Sequence, residues 1–176
     1  IGTASNTSLA ITTDNRLFAW GDNSQNQIGD GTTINRSTPT QIYGNYLSNV
    51  GDSWKAISEG DAHTVAIRSS DSSLWAWGNN QYGQLGELSY TQKSSPVQTS
   101  LGGTDWKQVA CANNATASIM AIKTDGTLWA WGMNANGQSG QNNTIYRSSP
   151  VQVGAKTTWT LVNAKGYRDM FAITTN

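Results

Sequence analysis

Only one cysteine, one histidine and three prolines occur in the 176 residues, and charged side chains make up 12 %. Each scarcity excludes something. The single Cys111 cannot form an internal disulfide, so no covalent staple holds the fold. The single His63 has no Cys/His cluster around it, which rules out the usual zinc ligand sets. It also leaves a Ser-His-Asp triad only one place to be built. Basic and acidic residues balance at 11 each. Without a basic surplus the phosphate neutralisation behind nucleic-acid binding has no source, and no nucleic-acid partner is expected. No apolar run approaches the roughly 20 residues of a membrane-spanning helix, so no membrane span is expected. A glycine loop with a following lysine, the cradle for phosphate, is missing. Asp22-Asn23-Ser24-Gln25-Asn26 fails as a calcium loop, since Gln27 stands where glycine is needed and Thr33 where a bidentate glutamate is needed. No repeated pair of carboxylates converges, and Asp14, Asp71 and Asp125 read as turn residues. No cofactor or metal is expected, and the chain is read as not an enzyme.

What the sequence has in excess is glycine (18) and tryptophan (8). Three copies of one stretch dominate: Leu17-Phe18-Ala19-Trp20-Gly21, Leu74-Trp75-Ala76-Trp77-Gly78 and Leu128-Trp129-Ala130-Trp131-Gly132. Large and small side chains alternate with a period of two, which suits a pleated strand and not a helix. The stretch recurs after 57 residues (Trp20 to Trp77) and again after 54 (Trp77 to Trp131). The unit of folding is therefore the repeat.

Around each copy the order of short alternating runs is the same. In the second unit, Trp54 to Ser58 is followed by the turn Gly60-Asp61-Ala62-His63, then Thr64 to Arg68, Leu74 to Trp77, and Ser95-Pro96-Val97-Gln98. Pro96 removes a ladder donor, which places that last run on a sheet edge. Asp125-Gly126 between two alternating runs is a hairpin signal in the third unit. Four short strands in roughly 50 residues describe a propeller blade. The reading is all-β, with repeat units over residues 1–53, 54–105 and 106–158 and a partial unit over 159–176 in a single partial propeller. Residues 2–13 align with 165–175, so the chain enters and leaves inside a unit. About three and a third blades fall short of the four to eight of known propellers. A partial ring is expected, needing further blades from the same or another chain.

Gly78-Asn79-Asn80-Gln81-Tyr82-Gly83-Gln84-Leu85-Gly86, preceded by Trp77 and followed by Ser95-Pro96-Val97, resembles the repeat of the regulator of chromosome condensation family. Gly60-Asp61-Ala62-His63-Thr64-Val65-Ala66 resembles the second signature of that family. Asn26 departs from the loop glycine in the first unit, and Ser139 from the leucine in the third. The resemblance implies a β-propeller, usually of seven blades. Family members include nucleotide exchange factors for a small GTPase, a plant ultraviolet-B photoreceptor and β-lactamase inhibitor proteins. The photoreceptor's clustered tryptophans are missing from the 60–64 turn here, and the balanced charge disfavours chromatin.

The regular placement of the tryptophans assigns them to core. His63 reads as a turn residue hydrogen-bonded to backbone, and Cys111 as inert packing. Framework positions repeat because packing demands it, whereas the turns before each second strand differ between copies. Those turns are the candidate partner-binding loops: Ser5 and Asn6; Asp61, Ala62 and His63; Asn113 and Asn114; Tyr167, Arg168 and Asp169. Tyr167 and Arg168 are the expected anchors, since both residue types are enriched at binding hot spots. The sequence thus predicts a non-catalytic interaction scaffold with an unidentified protein partner. The alternatives are a self-assembling ring or filament subunit, and an inhibitor or lectin-like binder of an exported target. A polar, weakly charged, Asn- and Thr-rich surface points to an extracellular or cell-surface location, with the cytoplasm as the alternative.

Overall fold

A computed structural model describes residues 2–4, 6–43, 53–113, 117–165 and 169–175. Among these residues every regular element is a strand. The first antiparallel sheet is β1 (Gly2–Ala4), β2 (Thr7–Ile11), β3 (Leu17–Gly21) and β4 (Arg36–Ile42), paired in chain order. The second is β5 (Trp54–Glu59), β6 (His63–Arg68), β7 (Leu74–Gly78) and β8 (Lys93–Gln98). The third is β9 (Trp106–Cys111), β10 (Ser118–Lys123), β11 (Leu128–Gly132) and β12 (Arg147–Gln152). A two-stranded sheet, β13 (Trp159–Lys165) and β14 (Asp169–Thr174), follows.

The first strands of neighbouring sheets, β1, β5, β9 and β13, lie against one another. They stand closest to the common axis, which leaves β4, β8 and β12 outermost. All three prolines, Pro39, Pro96 and Pro150, sit in those outermost strands, where a missing N–H breaks no inner ladder.

Alternation along a strand supplies two faces, and in β6 and β10 both are buried. Along β6, Val65 and Ile67 join the core against the third sheet, with Trp106, Val109 and Trp131. Ala66 between them joins the core against the first, with Leu9, Leu17, Ile28, Trp54 and Trp77. A third core sets Met120, Ile122 and Leu128 against Val162 of β13. Trp54, Trp77, Trp106 and Trp131 are fully buried. The other four are half-buried; Arg68 lies 4.8 Å over the Trp75 ring and Lys123 lies 5.1 Å over that of Trp129. The buried indoles wedge between sheets, and Trp75 and Trp129 also serve as platforms for cations. On the terminal sheet Met170 and Ala172 pack inward. Phe171 and Ile173, which alternate with them, are 41 % and 48 % exposed.

Candidate functional site

The glycine after each tryptophan positions the turns that carry the candidate residues. Gly21, Gly78 and Gly132 adopt φ of +112°, +100° and +87°. A Cβ at any of them would collide with the carbonyl of Asn6, Ala62 or Ala117. Only glycine allows both the backbone angle and that approach. The same carbonyls then accept the N–H of Asp22 (3.0 Å), Asn79 (2.7 Å) and Met133 (3.2 Å). Each β1–β2-type turn is thereby tied to the loop that follows the tryptophan.

A buried asparagine holds each of those loops in shape. Asn80 Nδ2 donates to the carbonyls of Ser89 (3.0 Å) and Thr91 (3.1 Å) and to Glu87 Oε1 (2.9 Å), while its Oδ1 accepts from Leu85 N–H (3.0 Å). Asn23 and Asn134 repeat the arrangement, the first on Thr32, Ile34 and Ile28, the second on Asn143, Ile145 and Ser139. Asn80→Ala removes the partner of the buried Leu85 N–H and of the Ser89 and Thr91 carbonyls. A loss of about 2 kcal/mol is expected, with faster amide exchange confined to residues 81–91. Exchange unchanged in that loop would contradict the assignment.

The loops also bind sheet to sheet. Trp77 Nε1 donates to the Gln27 carbonyl (2.9 Å) and Trp131 Nε1 to the Gln84 carbonyl (2.9 Å). Asn79 Nδ2 reaches across to Gln25 Oε1 (2.9 Å). Asn79 Oδ1 accepts from Gln84 Nε2 (2.9 Å), and Gln84 Oε1 accepts from Tyr82 N–H (2.9 Å). The Tyr82 ring meets Tyr146 of the third sheet edge-to-face, with centroids 5.6 Å apart.

These braces frame a cleft of about 300 Å³. The second sheet contributes Asp61, Ala62 and His63 from its first turn, and Asn79, Gln81, Tyr82 and Gln84 from its later loop. Gln25 enters from the first sheet's loop, and Ala112 and Ala117 from the third sheet's turn. Asp61 is the acidic member. His63 is 2 % exposed. Burial pushes its imidazole down to about 4, against the pull of Asp61, so the ring is neutral. Its Nε2 is buried without a hydrogen-bond partner. His63 closes the 60–63 turn and opens β6, and it hydrogen-bonds the backbone there as the sequence suggests. Its ring packs on Gly60, whose N–H donates to the His63 carbonyl at 2.9 Å. Cys111 is buried, and burial pushes its thiol up to about 12, which fits inert packing. At the opposite end of the blades, Asp71 and Asp125 accept the N–H of Ser73 (3.0 Å) and Thr127 (2.9 Å), as turn aspartates do.

Of the loop residues expected to bind, Asp61, Ala62 and His63 share this cleft. Asn113 is half-buried and follows the cleft residue Ala112. Asn6 is exposed in the β1–β2 turn, and Asp169 opens β14. Ser5, Asn114, Tyr167 and Arg168 lie outside the described residues. Sequence reasoning missed Gln25, Asn79, Gln81, Tyr82 and Gln84 as cleft walls. Four of them lie in the loop read as a repeat signature, and Gln25 in the stretch that fails as a calcium loop. Among the described residues no group of His, Cys, Asp and Glu could hold a metal ion, and no helix is long and apolar enough to cross a membrane.

Four-stranded antiparallel sheets stacked through tryptophan wedges and linked in tandem define a β-propeller, of which this chain is part of the ring. The chain belongs to the regulator of chromosome condensation (RCC1) repeat family, whose repeat matches residues 14–67, 71–119 and 125–164. A second RCC1 repeat description matches residues 54–84 and 106–138. The first two matches run from the third strand of one sheet into the second strand of the next, and the third ends in β13, so the repeat itself ties neighbouring blades covalently.

The chain is 36 % identical over 154 residues to human "Probable E3 ubiquitin-protein ligase HERC6", covering 84 % of this chain and 14 % of that protein. It is 27 % identical over 217 aligned residues to "Ultraviolet-B receptor UVR8" of Arabidopsis thaliana, covering 94 % and 48 %. The chain thus spans less than half the length of either relative. Among solved structures it is similar to Prp20p from Saccharomyces cerevisiae, with a TM-score of 0.72 at 19 % identity over 99 % of this chain and 43 % of that one. Yeast RCC1 (Prp20) bound to Kap60 gives a TM-score of 0.77 at 16 % identity, covering 99 % and 42 %. At such identities the likeness concerns the fold alone.

Proposed function

We propose that this chain is a non-catalytic protein-interaction module, holding a partner at the end of the blades where the cleft opens. RCC1-type propellers in general serve as interaction modules. Solved neighbours carry descriptions of binding to Gsp1p and histones and of a complex with Kap60. The supporting observation is the cleft itself: three neighbouring sheets place side chains, several of them not repeated between copies, around one opening on a braced frame. A frame fixed by packing lets the turns vary without loss of fold. The test is a photo-crosslinking residue at exposed Gln81, compared with one at Thr124, exposed at the opposite end. A covalent adduct with one discrete protein from Gln81 and none from Thr124 is expected. Equal adducts from both positions would refute the placement.

A second reading has its own observation. Phe171 and Ile173 occupy the strand positions of Val65 and Ile67, which the third sheet covers completely. The terminal sheet therefore takes a further blade, from a longer chain or from another copy. Sedimentation of residues 1–176 should show concentration-dependent association that Phe171→Ser with Ile173→Ser abolishes. A monomer at every concentration would remove self-assembly.

A further inference from the structure

The hydrogen-bonding groups left open on the cleft say what it fits, and this deepening rests on the protein-interaction reading above. Most acceptors on its walls are taken by the frame. Asn79 Oδ1 accepts from Gln81 N–H (3.1 Å) and from Gln84 Nε2, and Gln84 Oε1 accepts from Tyr82 N–H. The carbonyls of Ala62 and Ala117 hold the N–H groups of Asn79 and Met133. Gln25 is fixed through its oxygen, which accepts from Asn79 Nδ2. Its Nε2 has no hydrogen-bond partner and is not sealed from solvent, so a fixed donor stands open on the cleft wall. The Tyr82 hydroxyl is likewise unbonded and open, while its ring is held by Tyr146. The exposed Gln81 side chain takes no part in the frame. Ala62, Ala112 and Ala117 add an apolar lining.

We propose that the cleft receives an extended, proline-bearing segment of the bound protein, with a proline ring on Tyr82 and a backbone carbonyl accepting from Gln25 Nε2. A cleft with open donors and occupied acceptors selects a ligand that accepts without donating. Every other residue brings an N–H along with its carbonyl, and that N–H would lose water and gain little on these walls. Proline brings the carbonyl alone. Its apolar ring lies well on an aromatic face, as proline-rich segments do in aromatic-lined grooves generally. The polyproline II conformation exists before binding, so little chain entropy is lost. Gln25, Tyr82 and Asn136 hold the same place in the three repeats, so packing does not demand a tyrosine there. A free carboxylate or phosphate would also accept, but among the described lining residues none is lysine or arginine to neutralise it. A sugar would bring hydroxyl donors with its acceptors and strand them.

The test is a nuclear magnetic resonance titration of the full 176-residue chain with acetyl-hexaproline amide. An acetylated alanine–serine hexapeptide amide, sodium acetate and methyl glucoside are the controls. Hexaproline should give saturable shifts at the Gln25 and Gln81 side-chain amides and at the Tyr82 ring. Gln25→Glu keeps an oxygen for Asn79 Nδ2 and removes only the open donor. Binding should then weaken about ten-fold, as loss of one fixed contact does, with the Asn79 side-chain resonance reporting that the brace survives. Tyr82→Ala should weaken it at least as much, and Thr124→Ala, at the opposite end, should change nothing. The controls should give no saturable response. A control responding as strongly as hexaproline would overturn the proposal. So would hexaproline shifts confined to other surfaces, no saturable response, or a response indifferent to both Gln25→Glu and Tyr82→Ala. The crosslinking result from Gln81 reports separately on whether any protein binds this face. An adduct there without hexaproline binding would sink the ligand class while leaving the interaction reading intact.

Discussion

Trp77→Ala is expected to destabilise the chain by about 3–5 kcal/mol, the usual range for emptying a buried aromatic site. The indole is fully buried and lies 6.0 Å, centroid to centroid, from Trp54. It fills the wedge between the first and second sheets together with Leu9, Leu17 and Ile28. The loop of the first sheet is pressed against it, since a Cβ at Gly29 would collide with the indole. The surrounding strands cannot collapse into the gap without changing the angle between sheets. The lost hydrogen bond matters less than the cavity. The Gln27 carbonyl keeps a second donor in Thr64 Oγ1 at 3.0 Å. Trp20→Ala is the internal control: the same motif position in the first sheet is only half-buried, and its cost should be clearly smaller. Urea unfolding of the three proteins checks both statements. A Trp77→Ala loss under about 1 kcal/mol would place that residue outside the wedge.

Acidification should unfold the chain through one residue before the carboxylates take part. His63 falls from 6.5 to about 4 on folding because the ring is buried. Between those values the unfolded chain binds a proton that the folded chain refuses. Stability is therefore complete above pH 6.5 and is lost as pH falls toward 4, by roughly 3 kcal/mol in all. Aspartates contribute later. Asp71 is held well below the usual carboxylate range by its hydrogen bond from Arg68, opposed by some burial and helped by Ser73. Asp30 is lowered too, Thr32 and Arg36 outweighing burial. For both, the stabilisation is present above 3.8 and fades below it. His63→Gln should flatten the curve between pH 6.5 and 4 while leaving the steeper loss below. An unchanged slope in that variant would show that another group governs the transition.

Much of this architecture is written locally. Leu74-Trp75-Ala76-Trp77-Gly78 is a strand because its side chains alternate, and β7 covers those five residues. Pro96 belongs on an edge because it lacks a donor, and β8 is outermost. Glycine after the tryptophan was visible as a repeat, but its reason, the turn carbonyl that a Cβ would strike, was not. Asn80 likewise recurs with Asn23 and Asn134 in the sequence, while its work on the carbonyls of Ser89 and Thr91 was hidden.

The amino-acid sequence by itself determined the strands, the four-stranded unit and the family, because these depend on spacing within a few residues and on its repetition. Only the tertiary structure decided that Gln25 meets Asn79, that Trp77 reaches Gln27, and that His63 is sealed in the wall of a cleft with one nitrogen unpaired. Those partners are about 50 residues apart along the chain. They become neighbours only when whole sheets stack, and the angle and depth of that stacking are set by the tryptophan wedges acting together rather than by any single stretch.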